Sequence, residues 1–214
     1  QVAWRALVSN SMDHPNKVMV HMGPGRHIVS YPLRGGSLVN LVMVKERSLW
    51  AGEGWSHRDD PAHVRAAFAD FGGLAYVLLN ALSEVYLWGL FRHPIAEYWF
   101  QDRSVLIGDA AHPMLPFLAQ GANMALEDAW VLSRALRLHG ATRHGFQRYQ
   151  SLRQGRVKKV VATAQSNARN YHLSAPLTRW VAHSALRGLG AVAPCAMLKR
   201  FDWLYRFNPD TGLP

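Results

Sequence analysis

The chain has a single cysteine, Cys195, in 214 residues. One thiol excludes an internal disulfide and fits a reducing, cytoplasmic setting. No apolar run reaches the ~20 residues that a bilayer span needs. No signal peptide opens the chain either, because Arg5 interrupts the start. A membrane is therefore not expected as a partner. Acidic residues are also few: 14 Asp and Glu stand against 24 Lys and Arg, a formal charge of +10. Such a surplus suits nucleic acid, an anionic membrane surface, a basic exterior or an acidic partner segment outside the chain. No nucleic-acid-binding motif accompanies it, so nucleic acid is not expected. His14, His21, His57, His63 and His93 lack metal-ligand spacing, and no metal site is expected. No nucleophile elbow and no paired-carboxylate signature stands out. Cys195 itself lies among apolar residues and reads as inert packing. The chain also lacks a starting methionine, and "QVAWRALV" opens directly in a strand pattern, with Val2, Trp4, Leu7 and Val8 as its apolar residues. A fragment or processed piece is the expectation.

What is present is the composition of a globular protein, 49% hydrophobic and 18% charged. There are no internal repeats and no low-complexity linker. "VMVHMGPGRHIVSYPL" predicts a β-hairpin turning at Gly23-Pro24-Gly25. "SLVNLVMVKE" predicts a central strand. "DDPAHVRAAFADFGG" predicts a helix capped by Asp60, with Pro61 in the first turn and Gly72 at its end; Val64, Ala67, Phe68 and Phe71 share one face. "LAYVLLNAL" predicts a short helix and "EVYLWGLFRHP" a returning strand. Later, "GFQRYQSLRQGRVKKVVATAQSNARNYHL" predicts a long helix whose Arg153, Arg156 and Lys159 form a solvated basic face. Another helix is predicted from near Pro176 to near Gly188. The aromatic tail "FDWLYRFNPD" is expected to dock on the body. Sheet first and helices last argue an α+β fold.

The most informative stretch is "VLIGDAAHPMLPFLAQGANMALEDAW", residues 105 to 130. Ser104 to Ile107 predict a short buried strand. Gly108 permits a sharp turn or a close approach, and Asp109 follows at the strand's carboxyl end, where ligand contacts gather in mixed folds. Pro113 and Pro116 stiffen the loop. A helix opens near Gly121 with an apolar stripe of Ala122, Leu126, Ala129 and Trp130. Its first N–H groups lack intrahelical partners and, with the dipole, favour negative charge. Gly121 and Ala122 leave room for something flat. An ordinary strand–loop–helix, with Asp109 bonded to its own loop, satisfies the same pattern. On the hairpin, His27 and Tyr31 share one strand face about 13 Å apart by strand rise, so they can flank a small ring. A buried sheet histidine and a core tyrosine are the alternative.

"GDAAHPMLPFLAQGANMALEDA" resembles the second flavin-binding motif of the single-component FAD-dependent aromatic hydroxylases. "VAWR", "GPGRHIVSYPLRGG", "LVMVKER" and "FDWLY" stand in the order that the salicylate-hydroxylase-like branch shows. The resemblance implies that Asp109, after Gly108, contacts the ribityl chain of FAD and that Pro116 lies beside the isoalloxazine. It implies that the amides of Gly121, Ala122 and Asn123 face the flavin edge that becomes negative on reduction. It also places His27 and Tyr31 at the substrate, where a neutral histidine can take a phenol proton near pH 7. The implied enzyme is an NAD(P)H-dependent FAD monooxygenase of a small phenolic or heteroaromatic acid. It would use O2 through a flavin hydroperoxide, with or without decarboxylation. A hydroxylase of a larger or non-aromatic substrate, or a non-catalytic fragment or binding module, are the alternatives. The family's glycine-rich dinucleotide fingerprint is absent from these residues. The expectation is therefore a carboxyl-terminal portion, with the N-terminal Rossmann-like part as its missing partner and a homodimer allowed. Residues 1–100 then read as the substrate-binding sheet, 101–137 as the second FAD-binding motif and 138–214 as a helical segment.

Overall fold

The computed structural model describes residues 1–48, 54 and 56–210. They fall into two compact units. One comprises Gln1–Phe91 with Arg169–Arg179, the other Arg92–Ala168 with Trp180–Pro214. The architecture is α+β.

The first unit is built on a six-stranded antiparallel sheet. Its strands are β1 (Val2–Ser9), β2 (Met19–Gly23), β3 (Arg26–Leu33), β4 (Leu38–Lys45), β5 (His57–Asp59) and β6 (Val85–Gly89), in the order β2-β3-β4-β1-β6-β5. The predicted hairpin is β2–β3, and the apolar run that predicted a central strand is β4, paired with β3 and β1. Side chains alternate across the sheet. On one face Trp4, Ala6, Val8, Ile28, Val39, Leu41 and Met43 are buried. The helices α1 (Pro61–Ala67) and α2 (Gly73–Asn80) supply Val64, Ala75, Leu78 and Leu79 to the same core. Full burial of such side chains contributes about 1.5–3 kcal/mol each. Leu7 points from the other face and is exposed.

Asp60 caps α1 as expected, its carboxylate accepting the Ala62 N–H at 2.7 Å, a contact worth about 1 kcal/mol. The helix is shorter than predicted, however. It stops at Ala67, and Gly72 caps α2 instead of ending α1. Phe68 and Phe71 both enter the core edge-to-face, with ring centroids 5.3 Å apart. A tight turn, closed by the Phe71 N–H on the Phe68 carbonyl at 3.0 Å, joins the two helices there.

The second unit carries a small ladder, β7 (Phe100–Gln101) with β8 (Ser104–Val105), and the helices α3 (Gly121–His139), α4 (Arg143–Tyr171), α5 (Pro176–Val192), α6 (Pro194–Lys199) and α7 (Asp202–Tyr205). The last turn of α4 and the start of α5 belong to the first unit. The core of the second unit joins Trp99, Met124, Val131, Ala135, Tyr149, Val157 and Val160. The tail docks as expected: Leu204 is buried, and Phe201 and Trp203 pack on this core. Three expectations are corrected here. The segment 104–107 pairs over only two residues, and Leu106 and Ile107 are exposed instead of buried. Helix α5 continues past Gly188 to Val192. Cys195 is exposed instead of packed.

Candidate functional site

The loop from 108 to 120 is held by a buried charge network. Gly108 adopts φ +56°, a left-handed backbone, and a Cβ there would lie 2.9 Å from Cβ of Ala125. Only glycine combines that turn with that approach to α3. The Gly108 N–H donates to Oδ2 of Asp128 at 2.9 Å, and His112 Nε2 meets the same oxygen at 2.5 Å. Oδ1 of Asp128 accepts from Arg153 Nε at 2.7 Å. Arg153 and Arg156 both also donate to Glu127 at 2.7 Å. Burial alone would raise the Asp128 carboxyl. The bonds from His112, Arg153 and Gly108, with the Arg153 charge, hold it below the usual carboxylate range instead.

This network overturns two sequence expectations. Arg153 lies on no solvated face; it is fully buried against Asp128. Arg156 is largely covered and stacks 3.7 Å from the Phe207 ring centroid. Lys159 stays outside, above Trp203. Because Asp128 must point inward to meet Arg153, α3 is rotated from its apolar reading. Its buried face is Met124, Asp128, Val131 and Ala135, whereas Ala122, Leu126, Ala129 and Trp130 are exposed. The signal missed in the sequence was an acid spaced four residues after Met124 and three before Val131. A helix face including an acid asks for a cation, and the long basic helix supplies one.

With Asp128 buried, Asp109 remains at the surface of the same loop. Its Oδ1 lies 3.9 Å from the point a Cβ on Gly121 would occupy. Helix α3 opens there with no side-chain cap on its first amides, and Ala122 and Asn123 are exposed. Pro116 is exposed as well, starting a short 3-10 turn that ends with Ala119 at φ +51°. The Gly108 amide, just before Asp109, is committed to Asp128. A carboxylate next to uncapped helix amides and a residue without a side chain can hold hydroxyls, while the amides take the negative edge of a flat ring. These residues fit FAD.

The first unit has its own polar site. On the sheet face away from the core, a cavity of about 410 Å³ is lined by Arg5, Asn40, Tyr86 and Trp88, among others. Asn40 is buried, and its Nδ2 has no hydrogen-bond partner among the described residues. Arg5 sits 5.7 Å from the Trp88 ring centroid. Tyr31 pairs across the ladder with Asn40 but does not line the cavity. His27 lies further along β3, with only 1% of its surface exposed. Its Nδ1 bonds Nε2 of His172 at 2.7 Å. Burial first, then the neighbouring His172, lowers the His27 pKa from 6.5 to about 3. Among the described residues no group of His, Cys, Asp and Glu is arranged to hold a metal ion, and no helix is long and apolar enough to cross a membrane.

The model of a family described as "FAD binding domain" matches residues 6–164. The chain is 37% identical over 161 residues to 3-amino-4-hydroxybenzoate 2-monooxygenase PtmB3 of Streptomyces platensis, covering 73% of this chain and 40% of that protein. It is 32% identical over 209 residues to salicylate hydroxylase of Pseudomonas putida, covering 91% and 45%. A solved salicylate hydroxylase substrate complex superposes with a TM-score of 0.81 at 25% identity, covering 98% of this chain and 55% of that one. The chain thus spans about half the length of these relatives. Its matched family model, and the loop and sheet that carry the resemblance, make it a member of the FAD binding domain family, among the FAD-dependent aromatic hydroxylases.

Proposed function

We propose that the protein containing this chain hydroxylates a small aromatic acid, with FAD as cofactor, NAD(P)H as reductant and O2 as co-substrate. The observation that carries the flavin side is the Asp109 carboxylate beside the uncapped start of α3. Asp109 would hold flavin hydroxyls, the amides of Gly121, Ala122 and Asn123 the flavin edge, and Pro116 the ring. Reduced FAD supplies the activation of O2 and the transfer of one oxygen atom. The buried Asp128–Arg153 pair keeps the loop shaped for it.

The cavity supports this substrate class. A benzoate-sized ring fits about 410 Å³. Arg5 offers a positive charge, Glu84 on the same lining is paired with Arg58, and Asn40 offers a buried donor with no acceptor among the described residues, an arrangement that suits a carboxylate or hydroxyl oxygen. Tyr86 and Trp88 supply aromatic walls. Tyr31 and His27 do not line this cavity; it is the family resemblance that would have Tyr31 orient the ring and His27 take the phenol proton, because a phenolate attacks an electrophilic oxygen far better than a phenol. The relatives named for salicylate and for 3-amino-4-hydroxybenzoate support a hydroxylated benzoate.

The test is a panel of mono- and dihydroxybenzoates, aminohydroxybenzoates and larger ring systems, supplied to the flavin-loaded enzyme with NAD(P)H and air. Hydroxylated product in step with NAD(P)H consumed is expected for one or more benzoates. Turnover confined to multi-ring or non-aromatic compounds would overturn the substrate class.

A further inference from the structure

His27 is the near end of a three-residue chain. Its Nδ1 meets His172 Nε2 at 2.7 Å, and His172 Nδ1 meets Glu46 Oε1 at 2.9 Å. The side chains grade from enclosed to open: His27 and His172 are buried, whereas the Glu46 side chain is 53% exposed. Backbone bonds fasten the three segments at the hairpin turn. The Gly25 N–H donates to the His172 carbonyl at 3.4 Å, and the Glu46 N–H to the Gly25 carbonyl at 2.9 Å. The Tyr171 ring packs 5.3 Å from His27.

The carboxylate fixes the direction of every bond. An ionised Glu46 only accepts, so His172 Nδ1 carries the proton. His172 Nε2 is then an acceptor, and His27 Nδ1 must donate to it. The Gln1 side-chain amide also lies 3.3 Å from His172 Nδ1, but the nearer, charged oxygen governs the tautomer. His27 Nε2 is thereby the nitrogen that bears a lone pair. A histidine so enclosed is a poor place to store a proton and a good place to pass one through.

We propose that His172 and Glu46 form a proton relay that sets the His27 tautomer and carries the substrate's phenolic proton to solvent. This rests on the reading that His27 is the first acceptor. The substrate O–H proton goes to His27 Nε2 as the His27 Nδ1 proton passes to His172 Nε2. The His172 Nδ1 proton passes to the Glu46 carboxylate, which water reaches. No imidazolium is left behind, and the reverse hops reprotonate the product oxygen and restore the resting tautomers. His172 and Glu46 are positioning and relay residues that need not touch substrate.

The experiment combines nitrogen-15 NMR of the histidine rings in the full chain with turnover of the flavin-loaded enzyme. In the wild type, His27 and His172 should both show the Nδ1–H tautomer, the minor form of free histidine in water. Glu46→Ala, at a half-exposed position, should leave the fold intact and lose that preference at both rings, because no acceptor remains for His172 Nδ1–H. It should also lower kcat by at least about 10-fold, less than loss of the base itself costs, with KM little changed. His172→Gln should lose the preference at His27 and lower kcat likewise. Nε2–H tautomers in the wild type would overturn the relay, as would unchanged kcat in both variants while His27→Ala is impaired. Full coupled activity in His27→Ala would instead strike the underlying reading of His27.

Discussion

Asp128 and Arg153 form an ion pair at 2.7 Å in which neither side chain is exposed. Two charges removed from water are retained only when each is fully bonded, and here each is: Asp128 by Gly108, His112 and Arg153, and Arg153 by Asp128, Glu127 and the Met124 carbonyl. Removing one partner strands the other. Asp128→Ala should therefore destabilise the protein by about 3–5 kcal/mol, read as a shift in the urea midpoint at constant slope. Replacing both with apolar residues of similar volume, Asp128→Leu with Arg153→Met, should recover only the part owed to the stranded Arg153 charge, because the Gly108 N–H and His112 still lose their acceptor. If the double variant is as unstable as the single one, the pair does more than neutralise itself.

Asp109 should behave in the opposite way. It stands exposed in the loop that Asp128 fastens, so Asp109→Ala should change stability by less than about 0.5 kcal/mol. Loss of a charge-assisted bond to flavin hydroxyls should weaken FAD binding about 10- to 150-fold. Flavin fluorescence titration of both proteins checks this. Equal affinity would make Asp109 an ordinary loop acid.

The contrast between these two aspartates shows what the sequence displayed and what it hid. Asp109 follows a glycine at a strand end, a local pattern with a local meaning, and the β2–β3 hairpin and β4 were legible for the same reason. Asp128 and Arg153 are 25 residues apart on two helices. Each alone reads as a surface charge, and only their meeting makes burial tolerable. That meeting also turned α3, so an apolar stripe that periodicity would bury faces outward, with Leu126 70% exposed. The cavity was hidden too. Arg5, Asn40 and Trp88 come from three strands that register brings together, and strand register is not written in any one segment. The same holds for His172, 145 residues from His27.

His27 ties stability to pH. Its pKa falls from 6.5 unfolded to about 3 folded. Between those values the unfolded chain binds a proton that the folded chain refuses. Stability is therefore unaffected by this group above pH ~6.5 and is lost as pH falls toward ~3, by about 2–3 kcal/mol at pH ~4.5. His27→Asn removes the titration, so its urea midpoint should fall less than that of the wild type between pH 7 and 4.5. Parallel curves for the two proteins would contradict a neutral, enclosed His27.

The same residue separates oxygen transfer from cofactor binding. His27 sits on β3 of the sheet unit, whereas the residues assigned to the flavin lie in the loop and helix of the other unit. His27→Ala should thus keep a normal FAD content. Without an acceptor for the phenol proton, oxygen transfer should slow by roughly 10²–10⁴-fold, the range for a positioned general base. Reduction by NAD(P)H and reaction with O2 do not need that proton transfer, so both should continue and hydrogen peroxide should replace hydroxylated product. Raising the pH toward the phenol's own pKa supplies a substrate already ionised, and product per NAD(P)H should partly recover. Simple collapse of the pocket would not recover with pH, which distinguishes a lost base from a lost shape. If His27→Ala stays tightly coupled at every pH, the proton leaves by another route, and Tyr31, on the same strand and paired with Asn40, is the next residue to replace.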